Sequence, residues 1–511
     1  MTRNECSSRD RPPPPRWRRA LRHALAILFG LGLLVLAESL CALLGWGEPD
    51  WEVDPFVSFR SRAPLFVPDG ATGRLVTAPR WRRFFTRECF ARHKPPGTFR
   101  VFCFGGSTVQ GNPYGRATAF STWLQRGLAA ADPSRRWEVI NCGGLSYASY
   151  RVVPLLAECR AYEPDLFILC AGHNEFLEER AYGRIKRAPA WLAEAVGLAS
   201  RWRLFHVLRH AWQSATGGVR PAGTRRPLLP EEVDALLDYR GGLAAYHRDP
   251  AWREGVMAHF SANLRRAAGL CREAGIPLLL INPVSNLRDC PPFKSESRPG
   301  LSAADRAERD RLLAAAAGLL RRDPAAAAAR LTQAAALDNQ YALTFYQRGR
   351  AHEAAGRWAE ARADYRRARE LDVCPLRILA PMEAALRKVA RDDGLPFVDW
   401  QALIAARSPG GLPGHEWLVD HVHPTPAGHR LLALALLERL ARRGRVRLPA
   451  DWRARVEAAW RRHEAALPAD YFARGEQALA GLRAWTQGRA DGPPIEYHLL
   501  QKTRPRRNEK Q

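Results

Sequence analysis

The sequence lacks the motifs that mark metal-binding and nucleic-acid-binding proteins. Its ten cysteines form no CxxC pair and no Cys/His spacing typical of a metal site. It also has no Walker motif, no zinc-finger spacing and no RNA-binding signature. We therefore expect no metal, no cofactor and no nucleic-acid partner. The formal net charge of +26 comes mostly from arginine, and it fits either an arginine-rich composition or attraction to anionic lipid or polysaccharide.

Long apolar runs are scarce, and the exception lies near the N-terminus. An unbroken apolar run covers Ala24 to Ala37, and the apolar character resumes at Leu44 to Trp46. Together these predict a single transmembrane helix over 24–46, since about 20 apolar residues span a bilayer. Glu38 interrupts the run, and we expect it to pair with another helix or to lie near the outer interface.

Charges on either side of this run predict its orientation. Seven arginines precede it (Arg3, Arg9, Arg11, Arg16, Arg18, Arg19, Arg22), and four acidic residues follow it (Glu48, Asp50, Glu52, Asp54). The positive-inside rule then makes 1–23 a basic cytoplasmic tail. Everything after about residue 47 would lie on the periplasmic side of the inner membrane. The alternative is a cleaved signal peptide.

Five short apolar stretches predict the core of the protein. They cover 99–106, 137–144, 164–172, 276–286 and 395–400. Nearly continuous hydrophobicity is typical of strands that are buried on both faces of a parallel sheet. Helix-like segments separate the first three, as crossover connections require. The predicted fold class is therefore α/β, with a parallel sheet and helices on both faces.

An alanine-rich insertion at 301–375 interrupts this pattern. It resembles the tetratricopeptide repeat, whose signature positions match Phe345, Gly349, Ala361, Tyr365 and Ala368. The other interpretation is a plain alanine-rich helical hairpin. Because fewer than three repeats rarely stand alone, we expect these helices to pack on the rest of the domain. They could also bind a protein partner.

Two cysteines lie at the borders of the insertion, Cys290 before it and Cys374 at its end. An oxidising compartment would permit them to form a disulfide. The sequence leaves open whether they do.

A serine follows the first predicted strand directly. In "FRVFCFGGSTVQG" (99–111), Ser107 would begin a helix, whose N-terminal amides favour negative charge. Gly105 and Gly106 allow a tight turn and close approach of a substrate. By itself, a serine at this place fits a helix cap as well as it fits a nucleophile.

Three further segments favour the nucleophile. "LVDHVHPTPAGH" (418–429) places Asp420 three residues before His423, so one turn can carry a base and the carboxylate that orients it. "NCGG" ends the second strand and supplies Gly143, and "AGHNEF" ends the third and supplies Asn174. A backbone N–H and a side-chain amide are the donors that an oxyanion needs.

This ordered series resembles the SGNH hydrolases, also called GDSL esterases, which carry Ser, Gly, Asn and His in that order on a flavodoxin-like sheet. The resemblance implies Ser107 as nucleophile, His423 as general base and Asp420 as its orienting carboxylate. It implies an oxyanion hole formed by the amides of Ser107 and Gly143 and the side chain of Asn174. Two positions depart from the family pattern: Gly106 and Glu175 each stand where the family often has aspartate.

The predicted organisation has seven parts: the tail 1–23, the transmembrane helix 24–46, an extracytoplasmic lead-in 47–98, the first part of the hydrolase domain 99–300, the insertion 301–375, the second part 376–446, and a helical appendage with a disordered tail 447–511. The predicted function is a membrane-tethered serine esterase that acts on an acyl ester of an envelope glycan or lipid. Two alternatives stay open at this point. One is an O-acyltransferase that uses the same site, and the other is a scaffold of an envelope export or assembly complex.

Overall fold

The structure is a computed structural model of the 511-residue chain, and it describes residues 16–47, 63–178, 199, 202–216, 233, 235–239 and 242–486. The chain divides into two units, Met1–Asp50 with Leu198–Gly223, and Trp51–Gly197 with Thr224–Gln511. Most of the predicted basic tail, the start of the predicted lead-in and the predicted disordered tail lie outside the described residues.

Eight strands and sixteen α-helices are described in chain order. The strands are β1 (Phe66–Pro68), β2 (Leu75–Thr77), β3 (Cys89–Phe90), β4 (Thr98–Gly105), β5 (Arg136–Gly143), β6 (Leu166–Cys170), β7 (Leu278–Asn282) and β8 (Phe397–Asp399). The helices are α1 (Arg16–Leu43), α2 (Ser107–Gln110), α3 (Phe120–Ala131), α4 (Ser149–Cys159), α5 (Arg203–Thr216), α6 (Leu236–Tyr239), α7 (Pro250–Glu273), α8 (Ala303–Leu319), α9 (Pro324–Leu337), α10 (Ala342–Ala354), α11 (Trp358–Leu371), α12 (Ala380–Asp392), α13 (Trp400–Ala405), α14 (Pro426–Arg442), α15 (Trp452–Ala465) and α16 (Tyr471–Thr486).

The first unit contains α1 and α5. Within α1, residues Leu21–Leu43 are long and apolar enough to cross a membrane, a property that anchors and signal sequences share. The Glu38 carboxylate of α1 accepts hydrogen bonds from the backbone N–H groups of Arg203 (2.7 Å) and Leu204 (2.9 Å). Both amides belong to the first turn of α5, where helix N–H groups have no partner inside the helix. Glu38 therefore pairs with another helix, which is one of the two arrangements that the sequence analysis expected.

The second unit is built on a five-stranded parallel sheet in the order β5-β4-β6-β7-β8. All five strands predicted from apolar stretches are present. Counted among themselves, they have the flavodoxin-like order 2-1-3-4-5. Gly105 at the end of β4 pairs with Gly143 of β5 and with Cys170 of β6, so the carboxyl ends of three strands meet at one edge.

Helices cover both faces of this sheet, as predicted. Alternate residues of β4 point to opposite faces: Val101 and Cys103 lie in a core with residues of α3, α14 and α15, whereas Phe102 and Phe104 lie in a second core with residues of α4, α7 and α12. This alternation follows from the two-residue period of a strand. Burial on both faces explains why the strands are almost uniformly apolar.

The lead-in before β4 contains a feature that the sequence analysis missed. Strands β1, β2 and β3 form a small antiparallel sheet. The Glu158 carboxylate at the end of α4 accepts the backbone N–H groups of Leu65 (2.7 Å) and Phe66 (3.1 Å), which attaches this sheet to the domain. Strands of two or three residues are too short to give a clear hydrophobic period.

The insertion folds as four helices, α8 to α11, which pack as two consecutive pairs. A Cβ atom added at Gly349 of α10 would lie 3.0 Å from the Tyr365 ring of α11, so the close approach of this pair favours glycine. The Tyr346 hydroxyl donates to the Arg288 carbonyl oxygen (2.9 Å), and Leu412 packs in the same cluster. The insertion thus rests on the domain, as expected.

The two cysteines that border the insertion are separate buried thiols. Cys290 and Cys374 are not bonded to each other, and the same holds for the other described cysteines. Burial raises the pKa of the Cys290 thiol to about 11. The possible disulfide of the sequence analysis is therefore not formed in this structure.

The predicted helical appendage packs into the domain core. Trp460 of α15 is 4% exposed, and its indole N–H donates to the Trp123 carbonyl oxygen of α3 (2.8 Å). The last described helix, α16, reaches the segment before α14, where the Arg483 guanidinium donates to the carbonyl oxygen of Val419 (2.8 Å). The C-terminal helices are thus a structural part of the domain that contains the parallel sheet.

Candidate active site

Ser107 lies where the sheet ends. It is the first residue of α2, and Gly106 separates it from the end of β4. The side chain is 7% exposed. The backbone N–H of Ser107 has no hydrogen-bond partner in the described part of the chain, whereas Val109 and Gln110 donate to the Gly106 carbonyl. An unpaired amide at a helix start favours a developing negative charge.

His423 and Asp420 complete a hydrogen-bonded series with this serine. The Nε2 atom of His423 lies 2.8 Å from the Ser107 hydroxyl, and its Nδ1 atom lies 2.6 Å from Asp420 Oδ2. Both side chains are buried, so water competes little for these contacts. When Nδ1 donates to the carboxylate, Nε2 is free to accept the serine proton. Of the two histidines in "DHVH", the structure places His423 on the serine.

The charge of Asp420 is stabilised by its surroundings. Burial raises the pKa of this carboxyl group, but the electrostatic interaction with His423 and the hydrogen bonds from His423 outweigh burial, so the pKa lies well below its usual range. Oδ1 accepts the backbone N–H groups of Val422 and His423, each at 2.8 Å. Asp420 therefore stays ionised beside the base.

The neighbouring His421 has a different role. Its ring packs edge-on against Phe293, with ring centroids 5.2 Å apart, and is 6% exposed. Burial lowers the pKa of His421 to about 4, although Asp420 acts in the opposite direction. A neutral imidazole at this place adds no positive charge that would compete with His423 for the Asp420 carboxylate.

The loop that carries Asp420 and His423 is held by residues from both sides of the insertion, Asn286 before it and Arg377 after it. The Asn286 side chain donates to the Asp420 carbonyl oxygen (3.0 Å), and its backbone N–H donates to the His421 carbonyl oxygen (2.9 Å). The Arg377 guanidinium in turn donates to the Asn286 carbonyl oxygen (2.9 Å). Asn286 and Arg377 are positioning residues that the sequence analysis missed, because no motif marks them.

Asn174 lies directly over the nucleophile turn. Its side-chain amide donates one hydrogen to the Tyr147 carbonyl oxygen (3.1 Å), which fixes its orientation. A Cβ atom added at Gly106 would lie 2.3 Å from Asn174 Nδ2. The second amide hydrogen has no partner among the described residues, so this side chain can donate to an oxyanion, as the sequence predicts.

Gly143 is placed differently from the prediction. Its backbone N–H donates to the side-chain oxygen of Asn141 (2.9 Å), and a Cβ atom at this position would meet the backbone nitrogen of Gln110 at 2.2 Å. This glycine therefore serves close packing against α2, and its amide is already engaged. The turn that follows offers another backbone donor: Ser146 has φ +61° and its N–H has no partner in the described part of the chain.

Glu175 explains one departure from the family pattern. Its carboxylate accepts the backbone N–H of Ser149 (2.7 Å) and the Ser149 hydroxyl (3.0 Å), at the first residue of α4. The residue is fully buried. Glu175 thus holds the start of α4.

Within the described residues, no cluster of His, Cys, Asp and Glu side chains could hold a metal ion.

The model of the GDSL-like Lipase/Acylhydrolase family matches residues 103–431, which is well over half of the chain. The chain belongs to this family. It is a hydrolase that acts on ester bonds.

Three solved structures are among the proteins to which the chain is similar. The chain is 14% identical to LAE5, an alpha/beta hydrolase from the metagenome of Lake Arreo, with a TM-score of 0.28, and the match covers 68% of this chain and 96% of LAE5. It is 12% identical to the lipase/acylhydrolase from Enterococcus faecalis (TM-score 0.29, 69% and 98% covered). It is 13% identical to Axe2, an acetylxylan esterase from Geobacillus stearothermophilus (TM-score 0.29, 68% and 96% covered). No curated protein matches the sequence significantly.

We expect Gly106→Ala to impair catalysis selectively. The added methyl group would displace the Asn174 amide, which lies 2.3 Å from the Cβ position. Loss of one oxyanion donor lowers kcat about 10²–10³-fold, while KM for p-nitrophenyl acetate should change little. The measurement is steady-state kinetics on the full chain.

The matched control is Gly318→Ala in α8, where an added Cβ atom meets nothing within 4 Å. It should keep wild-type kinetics. Wild-type kcat in Gly106→Ala would show that Asn174 does not stabilise the transition state.

Proposed function

We propose that this family member is a membrane-tethered serine esterase that removes a short acyl group, such as acetyl, from an envelope glycan. The observation that carries the proposal is the complete series Ser107 Oγ, His423 Nε2 and Asp420, with contacts of 2.8 and 2.6 Å. A series of this kind deprotonates a serine hydroxyl as it attacks an acyl carbon.

The reaction would proceed through an acyl-enzyme. Ser107 Oγ attacks the ester carbonyl, and its proton passes to His423 Nε2. The Ser107 amide and the Asn174 side chain stabilise the oxyanion. The sugar hydroxyl then leaves with the proton from His423, and water, deprotonated by the same imidazole, releases the acyl group as a carboxylate.

The cavity next to α2, the helix that begins at Ser107, favours a glycan over a long-chain lipid as the substrate. It has a volume of about 470 Å³, and four of its lining residues are apolar: Phe85, Pro113, Leu145 and Ala478. Apart from two glycines, the other described lining residues are polar or charged, and they include Tyr114 and Tyr471. Sugars bind through hydrogen bonds and through packing on aromatic rings, whereas a fatty acyl chain needs a continuous apolar wall.

The Glu38 contact supports a retained anchor. A carboxylate within an apolar helix is costly in a bilayer. Hydrogen bonds from the N-terminal amides of α5, which lies far along the chain, offset this cost for Glu38. A signal peptide that is cleaved away would leave these amides without Glu38, so the pairing favours a helix that stays on the mature protein.

The tether can be tested with the full chain carrying an epitope tag at its N-terminus. We expect tag and p-nitrophenyl acetate hydrolysis to stay together in the membrane fraction after carbonate washing, on one polypeptide of 57.2 kDa plus the tag. Hydrolysis in the soluble fraction on a chain without the tag would contradict the anchor.

The same preparation should release acetate from acetylated glycans in preference to fatty acid from phospholipid micelles.

A further inference from the structure

The cavity lies next to α2, the helix that begins at Ser107, although Ser107 itself does not line it. Gln110, one turn after Ser107 on α2, lines it, and so does Leu145 in the turn after β5. The Gln110 side chain (2.9 Å) and the Leu145 backbone N–H (2.8 Å) both donate to the carbonyl oxygen of Phe84. These bonds attach the segment around Phe84 to the catalytic edge of the sheet.

The described walls of this cavity carry positive charge. Of the described residues that line it none is acidic, and five are arginines: Arg82, Arg83, Arg87, Arg116 and Arg474. The whole chain has 78 basic and 52 acidic residues, so a basic composition alone would place acidic residues here as well. The arginines come from two walls, four from segments near the catalytic edge and one from α16.

Carboxylates pair with two of these arginines. The buried Glu88 binds Arg116 in a two-point contact, with one hydrogen bond of 2.8 Å. Asp470 lies 3.3 Å from Arg474, but both side chains are more than half exposed, so this pair is weak. Arg87 is exposed and has no hydrogen-bond or ion-pair partner in the described part of the chain.

Two tyrosine rings complete the cavity. The Tyr114 hydroxyl donates to Glu476, and the Tyr471 hydroxyl lies 3.1 Å from Thr118 Oγ1. These contacts hold both rings in place between the arginines. Arginine binds carboxylate groups through two parallel N–H donors, and a fixed ring offers a flat surface to a sugar.

From this arrangement we propose that the cavity binds an acidic glycan, one whose sugars carry carboxylate groups, while a neighbouring acylated sugar is presented to Ser107. The inference rests on the proposed esterase function. Negative charge on the sugars beside the ester would distinguish this substrate from a neutral glycan. A phospholipid headgroup would offer similar charge, but the few apolar residues of the lining leave its acyl chains exposed to water.

Binding is tested separately from catalysis. The full chain with Ser107→Ala, in neutral detergent, is titrated with polygalacturonate fragments and with a neutral polymer, hydroxyethyl cellulose. We expect binding of polygalacturonate alone, weakening as salt is added. Adding Arg87→Gln and Arg474→Gln should weaken it at least about tenfold, since two charge-assisted contacts are lost. The charge-matched control is Arg306→Gln with Arg391→Gln, two exposed arginines on α8 and α12, which should bind as before.

Catalysis gives the second measurement. With Ser107 intact, the ratio of kcat/KM on acetylated polygalacturonate to kcat/KM on acetylated xylan should fall at least about tenfold in the Arg87→Gln, Arg474→Gln variant. Equal binding of acidic and neutral polymers, an equal loss in the control, or displacement of polygalacturonate by phosphatidylglycerol micelles would overturn the inference. Binding as expected without any Ser107-dependent hydrolysis would instead count against the esterase proposal.

Discussion

Replacing Ser107 with alanine should abolish ester hydrolysis while the protein stays folded. We expect turnover of p-nitrophenyl acetate to fall at least about 10³-fold, because the acyl-enzyme cannot form without the Oγ atom. Labelling by a fluorophosphonate probe should disappear as well. The change removes one hydroxyl group, whose contact with His423 Nε2 is 2.8 Å long, so the melting temperature should move by a few degrees at most.

Ser302→Ala is the matched control. Ser302 caps α8 in the insertion, where its hydroxyl accepts the Asp305 N–H (3.0 Å). Its loss costs about 1 kcal/mol of helix stability and should leave turnover unchanged. If the probe labels Ser107→Ala as strongly as wild type, another residue is the nucleophile and the esterase proposal is wrong at this site.

The positions of Ser107 and Asn174 at one edge of the sheet could be predicted because each follows a strand that the sequence marks clearly. Apolar runs indicated β4 and β6, and Ser107 and Asn174 come within four residues of their ends. Parallel strands bring their carboxyl ends to one edge, so residues far apart in the chain meet there. The spacing of Asp420 and His423 needed no long-range information, because one loop carries both.

The exact donors of the oxyanion hole could not be predicted in the same way. Gly143 stands at the right strand end, but its amide is taken by the Asn141 side chain two residues earlier. Whether a backbone N–H faces a cleft depends on local dihedral angles and on such side-chain contacts. A motif does not contain that information, and the positive φ of Ser146 is visible only in the structure.

The arginine-lined cavity illustrates a second limit of sequence reasoning. Arg82 and Arg87 come from the lead-in, Arg116 from the turn before α3, and Arg474 from the C-terminal helix. In an arginine-rich chain none of them stands out. They come together only through tertiary packing, which places α16 opposite the lead-in. The helix that the sequence analysis assigned to an appendage therefore lines the cavity next to α2.

Asp420→Asn should lower kcat almost as much as Ser107→Ala does. The hydrogen bonds of Asp420 explain why. Oδ1 of Asp420 accepts two backbone N–H groups, from Val422 and His423, at 2.8 Å each. An asparagine would keep its oxygen at this position, because its NH₂ group cannot accept hydrogen bonds. Its NH₂ group would then face His423 Nδ1, where Oδ2 now lies at 2.6 Å.

This orientation would reverse the tautomer of the base. With an amide donor at Nδ1, the imidazole must carry its proton on Nε2, and Nε2 could no longer accept the proton of Ser107. We expect kcat to fall about 10³–10⁴-fold with little change in KM. Fluorophosphonate labelling should slow to a similar degree, because it needs the same deprotonated serine. Circular dichroism and the melting temperature should stay close to wild type, since shape and volume are conserved.

Asp392→Asn provides the control, because Asp392 is an exposed aspartate at the end of α12 that pairs with Lys388 (2.6 Å). It should keep full activity. Retention of a tenth or more of the wild-type kcat in Asp420→Asn would show that a group other than Asp420 orients His423. His421, 3.6 Å from Asp420 Oδ1, would then be the next residue to replace. A large loss in Asp420→Asn with an intact fold would establish that the carboxylate acts through the tautomer of His423.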